Sequence, residues 1–173
     1  LRIVHAYWSD AHISLISDTL AGGKLKKWMI KEIFSGKSNF AHAVRQTTRG
    51  IELNLPDNLI IKDSKNVNRK NFRIKWWEEP DGKTFRELSF GNRFLLPDYT
   101  VPQQILQPFE VYNENEPAFI FGHYCAGQDA GVLRENLCCI DGCVANKGKL
   151  LAYRWDGERV LTPAKVTSAP VVV

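Results

Sequence analysis

Two short apolar runs in this 173-residue chain each end in a histidine. Residues 1–4 lead into His5, and residues 119–121 lead into Gly122 and His123. Apolar runs of this length that stop at a turn are typical of buried strands. In open α/β sheets, ligands bind beyond the carboxyl ends of the strands, so side chains at two such ends can meet. The pattern therefore predicts a sheet that brings His5 and His123 to one edge.

Two interpretations of these histidines stay open. A neutral imidazole at a strand end is a good metal ligand, but a histidine there is also commonly an ordinary hydrogen-bonded residue. Gly122 favours the ligand interpretation, because a glycine before His123 allows a sharp turn and a close approach of the backbone.

The rest of the chain alternates helix and strand patterns. Ser9 or Asp10 can cap a first helix that ends at Gly22, and Gly50 ends the third. This order predicts an α/β or α+β fold that is mainly helical in its first part. The predicted helices cover 10–21, 24–34 and 38–50, and the predicted strands cover 1–7, 71–77, 117–121, 137–141 and 149–155.

Residues 1–160 are predicted to form part of one domain. The chain is 44% hydrophobic and 24% charged, which suits a single globular core. Residues 51–115 include a long connection with three prolines and are predicted to be an insertion or cap. Residues 161–173 are predicted to be a flexible tail. Because residue 1 already belongs to a strand pattern, we expect a truncated chain that is the C-terminal half of its domain.

The charge pattern and the length of the apolar runs exclude two classes of partner. The chain has 23 basic and 19 acidic residues, a net charge of +4, and the two signs are interspersed. Nucleic acid is therefore not an expected partner. No apolar run reaches the ~18 residues that a membrane span needs, so no membrane association is expected.

The four cysteines lie close together, at Cys125, Cys138, Cys139 and Cys143. A secreted scaffold of this size distributes its cysteines as staples, so the clustering favours a reducing, cytoplasmic compartment. The last three lack the paired spacing of a thiolate zinc site and are predicted to be small core residues, with zinc binding as the alternative. Cys125 is expected to be a packed thiol, or else a ligand for a soft metal.

Three segments carry a family resemblance. Residues 1–6, residues 121–124 (Phe-Gly-His-Tyr) and residues 139–154 resemble, in order and separation, the last three motifs of the calcineurin-like metallophosphoesterases. The match is closest to the bacterial branch that includes diadenosine tetraphosphatases and serine/threonine protein phosphatases. Residues 49–56 and 73–77 resemble an insertion found in bacterial members.

The resemblance implies a β-sandwich flanked by helices, with two divalent metal ions of the Mn, Fe or Zn type. By position, His5 and His123 would both be ligands of the second metal. Asp141 and Tyr124 would support the site without contacting a metal. Many members have another histidine two residues after His123. This chain has Cys125 there, and the protein-phosphatase branch also lacks that histidine.

The reaction implied is hydrolysis of a phosphoester or phosphoanhydride through attack of hydroxide on phosphorus. The implied substrates are phosphorylated small molecules, nucleotides or phosphoproteins. The other ligands and the catalytic histidine belong to the motifs Asp-x-His, Gly-Asp-x-x-Asp and Gly-Asn-His-Glu, which are expected upstream of residue 1. Two neutral imidazoles give a divalent ion too few ligands and no carboxylate, so the isolated chain is expected to be inactive.

Other residues are candidates for contact with a substrate or a partner. Arg73 and Arg93 are candidates for binding phosphate. Trp76 and Trp77 can stack on a nucleobase. The alternative is that, in an alternating strand, one ring faces the core and the other covers a helix or a groove. A non-catalytic alternative is a phosphoesterase-like module that binds a partner through residues 51–115.

Overall fold

The structure of the chain is a computed structural model that describes residues 1–56, 59–63, 66–90 and 94–170. No helix in these ranges is long and apolar enough to cross a membrane. The three helices predicted for the first part of the chain are confirmed, although the second begins at Lys27 instead of residue 24. The helices are α1 (Asp10–Leu20), α2 (Lys27–Ser35), α3 (Asn39–Arg49) and the short α4 (Phe85–Leu88).

Side-chain caps explain where α1 and α3 begin. The hydroxyl of Ser9 accepts a hydrogen bond from the N–H of His12 at 3.5 Å, and that of Ser38 accepts one from the N–H of Ala41 at 3.1 Å. Each bond satisfies an amide that the first turn of a helix leaves unpaired.

In the described part of the chain, the strands form one four-stranded sheet and three antiparallel pairs. The central sheet has the order β1-β6-β8-β7, in which β1, β6 and β8 are parallel and β7 is antiparallel. Helices and small sheets together make an α+β arrangement, as the sequence predicts. The strands are β1 (Arg2–Ile3), β2 (Glu52–Asn54), β3 (Ile61–Lys62), β4 (Asn68–Arg69), β5 (Asn71–Arg73), β6 (Phe119–Phe121), β7 (Gly131–Arg134), β8 (Leu137–Cys139), β9 (Lys149–Tyr153) and β10 (Val166–Pro170), and the pairs are β2 with β5, β3 with β4, and β9 with β10.

The two inner strands of the central sheet, β6 and β8, are covered on both faces. Phe119 and Phe121 of β6 belong to the main core on one face. Ile120 and Cys138 belong to a smaller cluster with Leu161, against which side chains of β9 and β10 pack. Because successive side chains of a strand point to opposite faces, a sheet covered on both sides needs unbroken apolar strands. This explains the apolar runs in the sequence.

The main core is built around Trp76, which is 0% exposed. The centroid of its indole ring lies 5.3 Å from those of Phe119 and Phe121, 5.4 Å from Tyr7 and 5.2 Å from Trp77. Both tryptophans are buried in this core, whereas the sequence pattern predicts only one ring there. Since they belong to the 51–115 segment, that segment supplies the middle of the core beside the central sheet.

Two segments differ from the sequence predictions. β5 ends at Arg73, and Trp76 and Trp77 lie in a turn instead of a strand that reaches residue 77. A strand would point adjacent rings to opposite faces, whereas here both rings enter one core. Residues 166–170, which the sequence assigned to a flexible tail, form β10 and give the strand β9 a hydrogen-bonded partner.

Gly50 brings the end of α3 close to Tyr124. Its φ of 79° lies in the left-handed region that favours glycine. A Cβ at this position would overlap the phenol of Tyr124, which is buried. Both the backbone conformation and the packing therefore require glycine here.

We expect Gly50→Ala to destabilise the chain more than Gly82→Ala. Gly82 also has a positive φ, 71°, but a Cβ there meets no atom within 4 Å. Gly82→Ala should lower the free energy of unfolding by about 1–2 kcal/mol through backbone strain alone. Gly50→Ala should lower it by about 1–3 kcal/mol more, because Tyr124 must move. Urea denaturation of both variants measures the difference, and equal losses would contradict the close packing on Tyr124.

Candidate functional site

His5 and His123 lie side by side at one edge of the central sheet. β1 and β6 are parallel neighbours, with Ile3 opposite Ile120, so the residues that follow these strands leave the sheet together. Nε2 of His5 is 3.0 Å from Nδ1 of His123, and the ring centroids are 4.7 Å apart. One imidazole donates an N–H to the other at this distance. These two residues are called the imidazole pair below.

His123 is the inner member of the imidazole pair. It is half-buried, whereas His5 is exposed. Its φ of 68° is a left-handed conformation that few residues other than glycine adopt. Its Nε2 is buried, and no group in the described ranges forms a hydrogen bond with it. A buried polar atom of this kind calls for an explanation, and a bound ion is one.

The surroundings of His123 keep its imidazole neutral. Burial, followed by the positive charge of Arg73 and the neighbouring His5, lowers the pKa of His123 to about 4. The negative charge of Asp141 acts in the opposite direction but does not offset these effects. A neutral imidazole is the form that binds a metal ion.

Asp141 connects the two loops that follow β6 and β8. One carboxylate oxygen accepts a hydrogen bond from the N–H of Cys125 and the other accepts one from the N–H of Cys143, both at 2.9 Å. Its backbone carbonyl accepts a third bond, from the N–H of Ala126, at 3.0 Å. Both carboxylate oxygens of Asp141 thus hold the backbone on either side of the site.

The other predicted site residues occupy different surroundings. Tyr124 is buried against Gly50, and burial raises the pKa of its phenol. The Nε of Arg73 donates to the carbonyl of Arg49 at 2.8 Å, and its Nη2 lies 3.6 Å from the carboxylate of Glu52. Arg73 is therefore tied to the end of α3 and to β2. Arg93 lies outside the described residues.

Cys125 and Cys143 form a disulfide, with their Cα atoms 4.2 Å apart. The sequence predicted a packed thiol and a small core residue at these positions, and both predictions are wrong. Phe121 of β6 lies opposite Cys139 of β8, and each disulfide cysteine follows its member of that pair by four residues. Because the two cysteines follow paired residues at the same distance along the chain, the disulfide could be predicted from the pairing of β6 with β8, but not from the sequence alone. Cys138 is buried, as is Cys139, and both are confirmed as core residues.

The imidazole pair offers only part of a metal site. Imidazole nitrogens suit ions of the Mn, Fe and Zn type, and the facing atoms Nε2 of His5 and Nδ1 of His123, 3.0 Å apart, are close enough to share one ion. Across the described part of the chain, however, no group of three or more His, Cys, Asp or Glu side chains is placed to hold a metal ion. The disulfide leaves Cys125 and Cys143 without the thiolates that a soft metal or zinc would need. A divalent ion at the imidazole pair would need further ligands.

Comparisons with known proteins add no family assignment. No protein-family model matches the chain, and neither the curated proteins nor the solved structures contain a match to it.

The disulfide predicts a definite number of reactive thiols. After unfolding in denaturant, the oxidised chain should show two thiols, those of Cys138 and Cys139, and four after reduction. In the folded chain both should react slowly, because burial shields them and raises the pKa of each thiol to about 12. Titration with a thiol reagent measures these numbers. The double variant Cys125→Ser, Cys143→Ser should show two thiols with or without reductant, and four thiols in the unreduced chain would contradict the disulfide.

The low pKa of His123 predicts a loss of stability in mild acid. Between about pH 6.5 and pH 4 the unfolded chain binds a proton at this position and the folded chain does not, so unfolding is favoured as the pH falls through this window. Burial also lowers the pKa of His12, which contributes to the same loss of stability. The variant His123→Asn keeps the contribution of His12 and removes that of His123. The urea midpoint of this variant should therefore fall less between pH 7 and pH 4.5 than the midpoint of the unmodified chain. Equal decreases would contradict a depressed pKa at His123.

Proposed function

We propose that this chain contributes the imidazole pair to the two-metal centre of a phosphoester or phosphoanhydride hydrolase. The observation that carries the proposal is the meeting of His5 and His123, which are 118 residues apart in the sequence. The facing nitrogens, Nε2 of His5 and Nδ1 of His123, lie 3.0 Å apart, which allows both to ligate one ion at about 2.1 Å from each. Neutral nitrogens at adjoining strand ends suit a bound divalent ion.

The surroundings of the pair favour a ligand site over an ordinary pair of surface histidines. Left-handed backbone conformations occur at His123, Cys125 and Cys143, with φ of 68°, 50° and 65°. Strained residues of this kind persist only where their surroundings hold them, and they cluster at ligand sites. Here the Asp141 carboxylate and the disulfide hold them. A fixed backbone keeps the imidazoles in place before any ion binds.

The motifs of the sequence supply the reaction class. The apolar run before His5, the segment around His123 and the segment around Asp141 resemble those of calcineurin-like metallophosphoesterases. On this proposal the central sheet is one layer of a β-sandwich flanked by helices. Other segments of that domain, carrying the remaining family motifs, would provide the carboxylates and the catalytic histidine.

The roles of the residues in this chain follow from their positions. His5 and His123 would hold one ion of the Mn, Fe or Zn type, and Asp141 and Tyr124 would keep the backbone around them fixed. When bound, the two metal ions supply charge neutralisation for phosphoryl oxygens and lower the pKa of a bound water. His5 is exposed, so a phosphorylated small molecule, nucleotide or phosphoprotein would approach from its side.

The test compares variants of the pair with a variant of another histidine. In a protein that also carries the remaining ligands, His5→Ala and His123→Ala should each lower bound Mn²⁺, measured by elemental analysis, by about tenfold or more. Each should also lower the phosphatase turnover of that protein by orders of magnitude. His12→Ala removes an imidazole of α1 outside the pair and should preserve both quantities. The assays use an aryl phosphate, a phosphopeptide and a dinucleoside polyphosphate.

Two outcomes would overturn parts of the proposal. Unchanged metal content in both variants of the pair, with the fold intact by circular dichroism, would contradict the ligand assignment. Metal binding without hydrolysis of any of the three substrates would favour the alternative, a non-catalytic module that binds a partner through residues 51–115.

A further inference from the structure

We propose that a polar cleft beside the imidazole pair binds a second phosphate group of the substrate, so that the preferred substrate is a phosphoanhydride with two or more phosphates. The cleft has a volume of about 230 Å³ and lies between the outer face of α3 and the strands β2 and β5. It is called the α3 cleft below. The proposal rests on the proposed function only in assigning the bound anion to a substrate. The side chains that can contact an anion there are His42, Arg45, Gln46, Arg49, Asn54 and Asn71.

Two guanidinium groups on one wall of the α3 cleft supply its positive charge. Arg45 and Arg49 are one helical turn apart and both are exposed. Like charges at this spacing repel each other and weaken a helix, and a bound anion would relieve that repulsion. Neither guanidinium forms an ion pair with any described residue. By contrast, five other arginines are ion-paired with a carboxylate: Arg2, Arg69, Arg73, Arg86 and Arg154.

Asparagines of β2 and β5 offer an anion in the α3 cleft neutral donors. Gly36 also lines the cleft, and it lets Nη1 of Arg45 come close, because a Cβ there would lie 2.8 Å from this atom. The amides of Asn54 and Asn71 can donate hydrogen bonds to phosphate oxygens. Glu52 also lines the cleft, but its carboxylate faces Arg73 at 3.6 Å, so the two free arginines are not neutralised by it.

The end of α3 does not oppose an anion strongly, although a helix C-terminus carries a partial negative charge. The carbonyl of Gln46 accepts a hydrogen bond from the N–H of Gly50 at 2.8 Å. The carbonyl of Thr47 accepts from the N–H of Ala6 at 2.9 Å, and that of Arg49 accepts from Arg73 at 2.8 Å. Donors therefore satisfy three of the carbonyls at this end.

The same contacts place the α3 cleft next to the imidazole pair. Thr47 bonds to Ala6, the residue that follows His5. Gly50, which lines the cleft, packs against Tyr124, the residue that follows His123. On this proposal, a substrate whose first phosphate is at the imidazole pair places a second phosphate beside the arginines. A phosphomonoester has no second phosphate for this cleft, so phosphoanhydrides would be preferred.

Binding of inorganic tripolyphosphate to the metal-free chain tests the proposal by calorimetry, in the presence of a chelator. The double variant Arg45→Gln, Arg49→Gln should bind about tenfold or more weakly, because each charge-assisted bond to phosphate contributes roughly that factor. The double variant Arg45→Lys, Arg49→Lys should bind with intermediate affinity, since lysine keeps the charge and loses the planar two-point geometry. Arg154→Gln, Arg159→Gln removes the same charge from the turn after β9 and should leave affinity unchanged.

Three results would overturn the α3 cleft as a phosphate site. The first is that tripolyphosphate does not bind to the unmodified chain. The second is that the Arg45→Gln, Arg49→Gln variant binds it as tightly as the unmodified chain, and the third is that the Arg154→Gln, Arg159→Gln control loses as much affinity as that variant. Binding that survives His5→Ala and His123→Ala, together with unchanged metal content in those variants, would support the cleft while contradicting the proposed function. Hydrolysis of an aryl phosphate without tripolyphosphate binding would support the proposed function and contradict the α3 cleft as a phosphate site.

Discussion

Burial of Trp76 against β6 is the interaction on which the rest of the structure depends. Its ring contacts Phe119 and Phe121 on the central sheet and Tyr7 beyond β1, while the adjoining Trp77 packs on Tyr124. Tyr7 and Tyr124 lie within two residues of His5 and His123. The aromatic core therefore fixes the backbone beside each imidazole. Aromatic pairs of this kind stabilise a fold by about 0.5–1.5 kcal/mol each beyond the area they bury, so packing in the buried core helps to determine the position of the site.

Each member of the imidazole pair is held by a different part of the molecule. The backbone after His5 is bonded to α3 through the carbonyl of Thr47. The backbone after His123 is held to the loop beyond β8 by Asp141 and by the disulfide between Cys125 and Cys143. The pair therefore lies where a helix, a carboxylate and a covalent bond converge. This arrangement can maintain left-handed conformations that would be unfavourable in a free loop.

How much of this could be predicted depended on whether the signal was local. Helix α1 follows from Ser9 as a cap and from the glycines after it, and the end of α3 follows from Gly50, all readable within a few residues. The meeting of His5 and His123 follows from two apolar runs that each end in a turn, because strand ends gather at one edge of a sheet. The turn at Trp76, the pairing of β10 and the disulfide depend on which distant segments become neighbours, and no local pattern contains that information. Likewise, Arg45 and Arg49 of α3 can be recognised as part of a site only when β2 and β5 are known to form the other side of the cleft.

The parallel pairing of β1 with β6 has a consequence for how the protein is made. The two imidazoles are separated by 118 residues of chain, so a growing polypeptide has completed its first three helices long before the partner of β1 exists. Contacts between distant segments slow folding, because the chain must close a long loop before they stabilise anything. The pairing of β1 with β6, and with it the meeting of the two imidazoles, therefore has to wait until residue 121 has been made.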